Sequence, residues 1–451
     1  MKLSLVTETY NQAIQGSRSL NLENMVIVEQ PDKTSRLQTR LGSKPFYGLN
    51  QNIIAMNGRD GTFGGDLFVV TKDGLYRIAK SGVSTKLGSL GAGNNASIAV
   101  GRQEVLVCIP PNVWSYDGTS LVSVNMNDTD VSWVEHVNQR FIAVKANSDR
   151  FYWSDLLNGR AWPELNFMTA EGAADNIVSI VSLGSLLITL GSSTAEAYAN
   201  TVQPNSASEA FTRYGNPVEI GCKAAYSAAK ARGTVMWVAN NGAVYRSSGM
   251  EPRRVSTSFI EQEITRLSDK QLAEVKGFMV PERGRWMYVL NLPSVGTYVY
   301  DMNLEKWSKR SSGSKQWADM GLLLGGQNYI ASSFQDEVSI QAEIGSDAGK
   351  PFKQVFSATL SVSRPAIVRE IIVDGWANAK CGVYMKWTEN NGRTWSDEVK
   401  RNISSPDAER DNAVWRRGGT VRAPGRTLEF TIYEPVQVNI FGVRVNEPVR
   451  R

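Results

Sequence analysis

The chain has 451 residues, which suits two or three domains, and its apolar content is that of an ordinary folded, soluble protein. One histidine and three widely spaced cysteines leave almost no scope for zinc sites, histidine catalysis or a disulfide framework. No secretory signal is expected, because the apolar segment after Met1 is too short, and the longest apolar run, 177–190, is too short and too often interrupted to predict a membrane span.

The single histidine and the cysteines are interpreted as structural residues. His136 lies in an alternating segment, Trp133–Val137, that is typical of a strand. Cys108, Cys222 and Cys381 cannot all pair with one another, and they are expected to be buried thiols of a protein made in a reducing cytoplasm.

Positive charge is concentrated near the end of the chain. From Pro351 onward there are 16 Lys and Arg against 11 Asp and Glu, which accounts for the whole net charge of +5. A basic final region could face DNA or an acidic protein surface, and a solvated surface explains the same charge equally well.

The first segment, 1–48, is predicted to be an extended arm that ends in a strand. Leu20–Glu29 has strand character, and a turn at 30–33 separates it from a second segment with Arg36 and Arg40. Such an arm could close a ring of sheets or pack on a neighbouring subunit, and closure would remove exposed strand edges.

A repeated pattern dominates residues 49–344. An apolar strand is followed, roughly ten residues later, by a strand with an aromatic residue, and the unit recurs about every 35 to 55 residues. The fullest copy is Arg285–Trp307, a meander of three strands. Many short strands joined by Gly, Asn and Asp turns predict an all-β fold, with a β-propeller of roughly six or seven blades. A series of β-sandwich strands is the alternative.

One helical segment interrupts the strands, at 257–276. Ser258 is predicted to cap a helix, with Glu261 completing a capping box, and a second turn or helix is expected to start at Ser268–Asp269. An inserted helix could serve as an assembly contact through Phe259, Ile260 and Glu261, or could simply cover a blade edge.

Residues 345–350 read as a linker, and 351–451 as a second all-β domain of the sandwich or jelly-roll type. Within it, Arg416, Arg417, Arg422 and Arg426 form a basic cluster. The first three are candidate assembly contacts with an acidic partner or passing nucleic acid, and a solvated sheet face is the alternative.

Motifs for chemistry are missing from the sequence. Thr388–Trp395 resembles the Asp-box hairpin, in which an Asn side chain and a Gly build a turn, and one such box is best explained as structural. Walker, dinucleotide, metalloprotease and nucleophile-elbow motifs do not occur. The chain is therefore expected to be no enzyme and to bind no metal or cofactor.

Several stretches, in the same order and spacing, resemble the tail hub proteins of short-tailed phages (podoviruses), also called nozzle or packaged-DNA stabilisation proteins. The resemblance covers roughly residue 20 to the end, and no single motif in it is diagnostic. The stretches that carry it are Leu20–Glu29, Arg40–Gly42, Leu190–Tyr198, Thr257–Val280, Asn291–Pro293, Val299–Asp301, Thr388–Glu398, Val414–Gly419 and Thr427–Val445.

This resemblance implies a structural protein of the virion tail, made in the cytoplasm of the host bacterium. It implies a hexameric ring below the portal and its adaptor ring that extends the DNA channel, helps to retain the packaged DNA and supports a distal needle or plug and tailspikes or fibres. Contact with double-stranded DNA would be non-specific, and no stable membrane insertion is expected. The alternative is a carbohydrate-binding or glycan-processing propeller, an adhesin or a glycosidase, for which paired carboxylates would be the mark of the enzyme.

Overall fold

The computed structural model of the chain describes residues 2–5, 8–9, 20–29, 35–126, 129–170, 172, 175–200, 210–249, 251–313, 315–403, 411–446 and 449–450. Strands make up most of it, with two short α-helices, so the all-β prediction is confirmed.

The strands are numbered in chain order. The first half contains β1 (Ser4–Leu5), β2 (Leu22–Glu23), β3 (Met25–Glu29), β4 (Ser35–Thr39), β5 (Gly42–Gly48), β6 (Ile53–Asn57), β7 (Leu67–Thr71), β8 (Gly74–Ile78), β9 (Ser84–Gly88), β10 (Ser97–Val100), β11 (Val105–Ile109), β12 (Asn112–Tyr116), β13 (Leu121–Val124), β14 (Val131–Val137), β15 (Arg140–Lys145), β16 (Arg150–Trp153), β17 (Phe167–Thr169), β18 (Ile177–Leu183), β19 (Leu186–Gly191), β20 (Ala195–Asn200) and β21 (Phe211–Val218). The second half contains β22 (Ala229–Ala231), β23 (Thr234–Val238), β24 (Val244–Ser247), β25 (Pro252–Arg254), β26 (Lys276–Glu282), β27 (Arg285–Leu292), β28 (Gly296–Asp301), β29 (Lys306–Ser312), β30 (Lys315–Gln316), β31 (Met320–Leu324), β32 (Gln327–Ala331), β33 (Glu337–Ala342), β34 (Ser346–Asp347), β35 (Lys350–Pro351), β36 (Gln354–Ser361), β37 (Ala366–Ala377), β38 (Cys381–Thr388), β39 (Val399–Ile403), β40 (Asp411–Val421), β41 (Gly425–Ile432), β42 (Val438–Val445) and β43 (Val449–Arg450). The helices are α1 (Ser258–Thr265) and α2 (Asp269–Ala273).

The chain forms two compact units. Unit 1 contains residues 1–44, 296–317 and 341–451, and unit 2 contains residues 45–295 and 318–340. These limits differ from the predicted boundaries, because the start of the chain and the segment 296–317 both belong with its last hundred residues.

Unit 2 consists of antiparallel sheets that follow one another along the chain. Five are complete four-stranded sheets, formed by β6–β9, β10–β13, β14–β17, β18–β21 and β22–β25 in order. Within the described residues of this unit, β26 with β27 and β31 with β32 and β33 form two further antiparallel sets. β5, which enters unit 2 at Pro45, lies beside β33. The arm therefore ends in a strand that extends the last set.

Apolar clusters fill the spaces between neighbouring sheets of unit 2. Phe68 and Val70 of the first sheet pack with Ile98 and Val107 of the second, and all four are buried. Equivalent clusters join the second sheet to the third, the third to the fourth and the fourth to the fifth. Another cluster joins the set of β31–β33 to the first sheet, so the series returns to its start.

Unit 1 contains two sheets around one core. One sheet has the order β28-β29-β2-β36-β41-β38-β39, and the other has the order β3-β4-β42-β37-β40. Phe356 and Phe430 of the first sheet stack with ring centroids 5.0 Å apart, and Trp415 of the second sheet lies 5.6 Å from Phe430. The first forty-four residues thus supply strands to both sheets.

A buried arginine links three distant segments of unit 1. Arg40 is fully buried, and its Nη1 and Nη2 atoms lie 3.1 and 2.6 Å from the two carboxylate oxygens of Asp347. It also donates to the Asn24 side chain and to the carbonyl of Ser311, and its guanidinium lies 3.7 Å from the centre of the Phe352 ring. The charge is therefore both paired and hydrogen-bonded, as a buried ion requires.

The segment 345–350, predicted as a linker, is structured. β34 lies within it, pairs with β35 in antiparallel fashion and pairs with β5 in parallel fashion at Ser43. Because Asp347 also holds Arg40, this segment is fixed by the core of unit 1.

The Asp-box-like hairpin is a turn, as its residues predict. The Asn390 side chain accepts the Thr394 N–H at 2.9 Å, and the Thr388 hydroxyl accepts the Gly392 N–H at 3.0 Å. Gly392 has φ +87°, a conformation that favours glycine. Side chains thus bind the local backbone of a tight connection after β38.

Candidate functional site

The helical segment begins one residue earlier than predicted. Thr257, in extended conformation, is the N-cap of α1, and its hydroxyl accepts the Ile260 N–H. The predicted cap Ser258 is the first helical residue. The capping box lies instead on α2, where Ser268 and Gln271 bind each other's backbone N–H groups.

The structure changes the roles expected for the three helix residues. Ile260 is fully buried with Ile264, so its side chain belongs to the core of unit 2 and offers no exposed contact. Glu261 binds the Arg254 guanidinium through both carboxylate oxygens and accepts the Ser256 hydroxyl at 2.6 Å, which ties α1 to β25. Phe259 is half-buried. An assembly contact through α1 therefore remains a prediction that depends on Phe259 and on the exposed side of the helix.

The basic cluster of unit 1 divides into exposed and buried members. Arg416, Arg417 and Arg422 are exposed, and the Arg416 Nε lies 3.5 Å from a carboxylate oxygen of Glu370 on β37. Arg417 has φ +63°, at a point where β40 carries a bulge against β37. Arg416 and Arg417 lie at this bulge and Arg422 directly follows the end of β40, and these three exposed arginines are called the basic surface.

Arg426 is the buried member of that cluster. Its guanidinium binds Glu389 at 2.6 Å and donates to the carbonyls of Gly418 and Thr420. These hydrogen bonds stabilise the backbone of β40 at the bulge. The predicted cluster of four therefore contains three surface residues and one structural residue.

A cavity lies at the centre of unit 2. The first strands of the seven sets, β6, β10, β14, β18, β22, β26 and β31, contact one another in cyclic order, and each contributes residues to the wall. The cavity has a volume of about 400 Å³. A Cβ on Gly321 would come within 2.4 Å of the Phe278 ring, so the close packing of β31 on β26 requires glycine there.

Aromatic side chains form part of the cavity wall. Trp133 and Tyr226 lie with ring centroids 4.9 Å apart, and Trp286 lines the same space. All three are half-buried. Among the residues that the structure describes, none accepts a hydrogen bond from the two indole N–H groups or bonds the Tyr226 hydroxyl.

Two pairs of opposite charge complete the wall. The Lys230 Nζ lies 3.3 Å from the Glu135 carboxylate, and it also contacts the Ser182 hydroxyl. The Lys276 Nζ donates to the carbonyl of Ile54 at 3.1 Å and lies 3.9 Å from Asp319 Oδ2. Burial lowers the pKa of Lys276, and the nearby carboxylate of Asp319 opposes that shift.

His136 lies next to this region and is structural, as its sequence context predicts. Its ring packs against Phe141 with centroids 5.0 Å apart, and its Nδ1 lies 3.0 Å from the Arg59 guanidinium. Burial, with the charges of Arg59 and Lys230, lowers the pKa of His136 to about 4. The imidazole is therefore neutral at pH 7 and accepts a hydrogen bond from the arginine.

The three cysteines are buried and unpaired by disulfides in this fold. Burial raises the pKa of Cys108, Cys222 and Cys381 to about 12, so each remains a thiol at neutral pH. Across the described ranges, no cluster of three or more His, Cys, Asp or Glu side chains could hold a metal ion. No helix in the described part of the chain has the length and apolarity to cross a membrane.

Sequence reasoning missed the cavity because its residues are widely separated. Trp133, Tyr226 and Trp286 each sit in ordinary strand or turn patterns, and nothing local relates them. The one available signal was position: most wall residues lie on the first strand of a repeat.

The chain is similar to one known protein family. The model of a phage stabilisation family, described as bacteriophage P22 Gp10, beta-propeller, matches residues 17–337, more than two thirds of the chain. That description confirms the propeller prediction. No curated protein gives a significant match.

Solved structures are similar at low identity. The computationally designed Ika8 protein has 11% identity and a TM-score of 0.40, with 74% of this chain and 99% of that chain covered. BamB from Moraxella catarrhalis has 10% identity and a TM-score of 0.41, with 76% and 97% covered. The extracellular domain of the putative one component system BT4673 from B. thetaiotaomicron has 9% identity and a TM-score of 0.45, with 92% and 62% covered.

Proposed function

The chain belongs to the bacteriophage P22 Gp10 family of phage stabilisation proteins, and we propose that it forms a hexameric hub, or nozzle, ring of a short phage tail. In this proposal the ring lies below the portal and its adaptor ring and extends the DNA channel. It helps to retain the packaged DNA and anchors a distal needle or plug and tailspikes or fibres. Its role is structural and non-catalytic, and it acts in the virion after synthesis in the host cytoplasm.

The family match over residues 17–337 is the observation that carries this proposal. The fold supports it, because a closed series of sheets has few free edges and can present fixed surfaces to several neighbours. We count each of the seven antiparallel sets as one blade, so the proposal includes a seven-bladed propeller.

The basic surface of Arg416, Arg417 and Arg422 is the proposed assembly contact. Two exposed arginines on the bulged strand β40, with Arg422 directly after its end, suit an acidic face of a neighbouring subunit, because guanidinium groups bind carboxylates in bidentate fashion. The side chains of α1 contribute less, since Ile260 and Glu261 are occupied within unit 2.

Cryo-electron microscopy of tails that carry this chain tests the ring directly, with the purified protein imaged beside them. We expect class averages with a six-fold ring on the axis of the channel, even if the purified protein is a monomer. A peripheral position, or trimers that project outward, would contradict the hub.

Charge reversal tests the basic surface. The double variant Arg416→Glu/Arg417→Glu should fold normally and incorporate into tails about tenfold less, since each exposed pair contributes little to stability but reversal creates repulsion across an interface. The matched control is Arg364→Glu/Lys380→Glu, which reverses two other exposed charges of unit 1. Equal incorporation of both variants would show that the surface makes no assembly contact.

A further inference from the structure

The central cavity of unit 2 has the size and lining of a small-molecule site. Its volume of about 400 Å³ falls within the range of roughly 300 to 1,000 Å³ that such sites occupy. Most of the wall comes from paired strands, so most of the site is formed before any ligand arrives. We propose that this cavity binds a neutral mono- or disaccharide, stacked on its aromatic wall and hydrogen-bonded to its two charge pairs.

The aromatic wall supplies the first argument. Tryptophan and tyrosine combine an apolar ring with a polar group that forms hydrogen bonds. In the described part of the chain, no protein group bonds the Trp133 and Trp286 N–H groups or the Tyr226 hydroxyl, and these half-buried side chains line the cavity, where water or a ligand can take that role. A pyranose ring offers a flat C–H face for the aromatic rings and hydroxyl groups around its edge for these three tips.

The charges supply the second argument. Each cation of the wall has an anion close by, Glu135 beside Lys230 and Asp319 beside Lys276, so the wall has no excess of either sign. Because these charges balance, the wall gives a net attraction to neither anions nor cations. Neutral hydroxyl groups, which both donate and accept, suit paired ammonium and carboxylate groups.

Lys276 has donors left for a ligand. Its ammonium carries three N–H groups, of which the Ile54 carbonyl takes one at 3.1 Å, and the Asp319 oxygen at 3.9 Å is beyond hydrogen-bond distance. The position of Asp319 is fixed by the Ser333 backbone N–H at 2.9 Å and by the Ser333 hydroxyl. A ligand hydroxyl between lysine and carboxylate would satisfy both.

This inference is independent of the proposed hub. Tail assembly and saccharide binding involve different residues and different measurements, so either can fail alone. A saccharide site within a tail protein would let sugar from the cell envelope bind the propeller directly.

The test is saturation-transfer NMR with the full-length protein, followed by titration calorimetry. The probes are glucose, galactose, mannose, N-acetylglucosamine and lactose, with glucuronate as the charged counterpart. We expect at least one neutral sugar to bind with a millimolar Kd or tighter, and glucuronate to bind about tenfold more weakly.

Two variants locate the site. Tyr226→Phe keeps the ring and removes only the hydroxyl, and it should weaken binding about fivefold, while Trp286→Ala should weaken it tenfold or more. Tyr214→Phe, at an exposed tyrosine of β21, is the matched control and should bind as the unaltered protein does. Circular dichroism and the thermal midpoint show whether each variant is folded.

The saccharide site is refuted if none of the neutral sugars binds at concentrations up to about 50 mM. Stronger binding of glucuronate than of glucose would refute the neutral ligand. Binding that Tyr226→Phe and Trp286→Ala both leave unchanged would place the sugar elsewhere and would refute the cavity as its site.

Discussion

Units 1 and 2 are both built from antiparallel strands, but they draw those strands from different distances along the chain. In unit 2 each sheet is made of consecutive strands, as in the run β10-β11-β12-β13. In unit 1, β2 lies between β29 and β36, and Leu37 of β4 pairs with Ile440 of β42. Local pattern therefore determines the sheets of unit 2, whereas unit 1 depends on contacts that close loops of hundreds of residues.

The difference extends to how the two cores are specified. In unit 2 the same kind of contact recurs, an apolar cluster between two successive sheets. Unit 1 adds a buried ion pair, Arg40 with Asp347, to a single apolar core. A buried charge that needs one partner gives a distant segment a specific docking position, which a uniform apolar surface does not.

The largest expected effect comes from breaking that ion pair. Asp347→Ala leaves the fully buried Arg40 guanidinium without its carboxylate and should lower the free energy of unfolding of unit 1 by about 3–5 kcal/mol. Hydrogen exchange should show lost protection in the described strands of unit 1, such as β4, β36 and β42.

The matched control is Glu263→Ala in unit 2. Glu263 pairs with the largely exposed Arg266 on the surface of α1, so its removal should change stability by about 0.5 kcal/mol or less. If Asp347→Ala costs no more than this control, unit 1 does not depend on its ion pair.

The sequence predicted the individual strands and the helix start that depend on local residue patterns. The alternation in Trp133–Val137 predicts β14, which begins two residues earlier, the apolar run followed by an aromatic segment predicts β11 and β12, and Ser268 predicts the start of α2. The family resemblance came from the order and spacing of such segments, and the match over 17–337 confirms it.

What the sequence could not predict depends on non-local pairing. The meander Arg285–Trp307 reads as one continuous repeat, yet its last two strands belong to unit 1. The segment 345–350 has the composition of a linker, and Asp347 holds it in place only because Arg40, three hundred residues away, needs a carboxylate. The cavity wall was missed for the same reason.

A second prediction probes unit 2 through its histidine. Because the folded-state pKa of His136, about 4, lies below its ordinary value of 6.5, the unfolded chain takes up a proton first as the pH falls. The resulting stabilisation is fully present above pH 6.5 and is lost between pH 6.5 and 4. It should amount to about 2 kcal/mol after allowance for solvent screening.

His136→Gln should remove this component. The measurement is the urea unfolding free energy at several pH values, and the variant's curve should be flatter than that of the unaltered protein between pH 6.5 and 4. Glu135 and other carboxylates titrate in both proteins, so the difference between the curves isolates the imidazole. Parallel curves would show that burial, with the charges of Arg59 and Lys230, does not suppress protonation of His136.

The smallest expected effect concerns the N-cap of α1, which is Thr257 in the structure and Ser258 by the local sequence pattern. Thr257→Ala removes the hydroxyl that accepts the Ile260 N–H and should destabilise unit 2 by about 1 kcal/mol. Ser258→Ala, at the position that the sequence alone assigns to the cap, should cost less, since Ser258 is the first residue of the helix. Thermal unfolding of the two variants side by side gives the order. A larger loss of stability from Ser258→Ala than from Thr257→Ala would show that Ser258, and not Thr257, caps α1. The local sequence pattern would then determine where the helix starts, in spite of the position that the buried Ile260 and Ile264 impose on it.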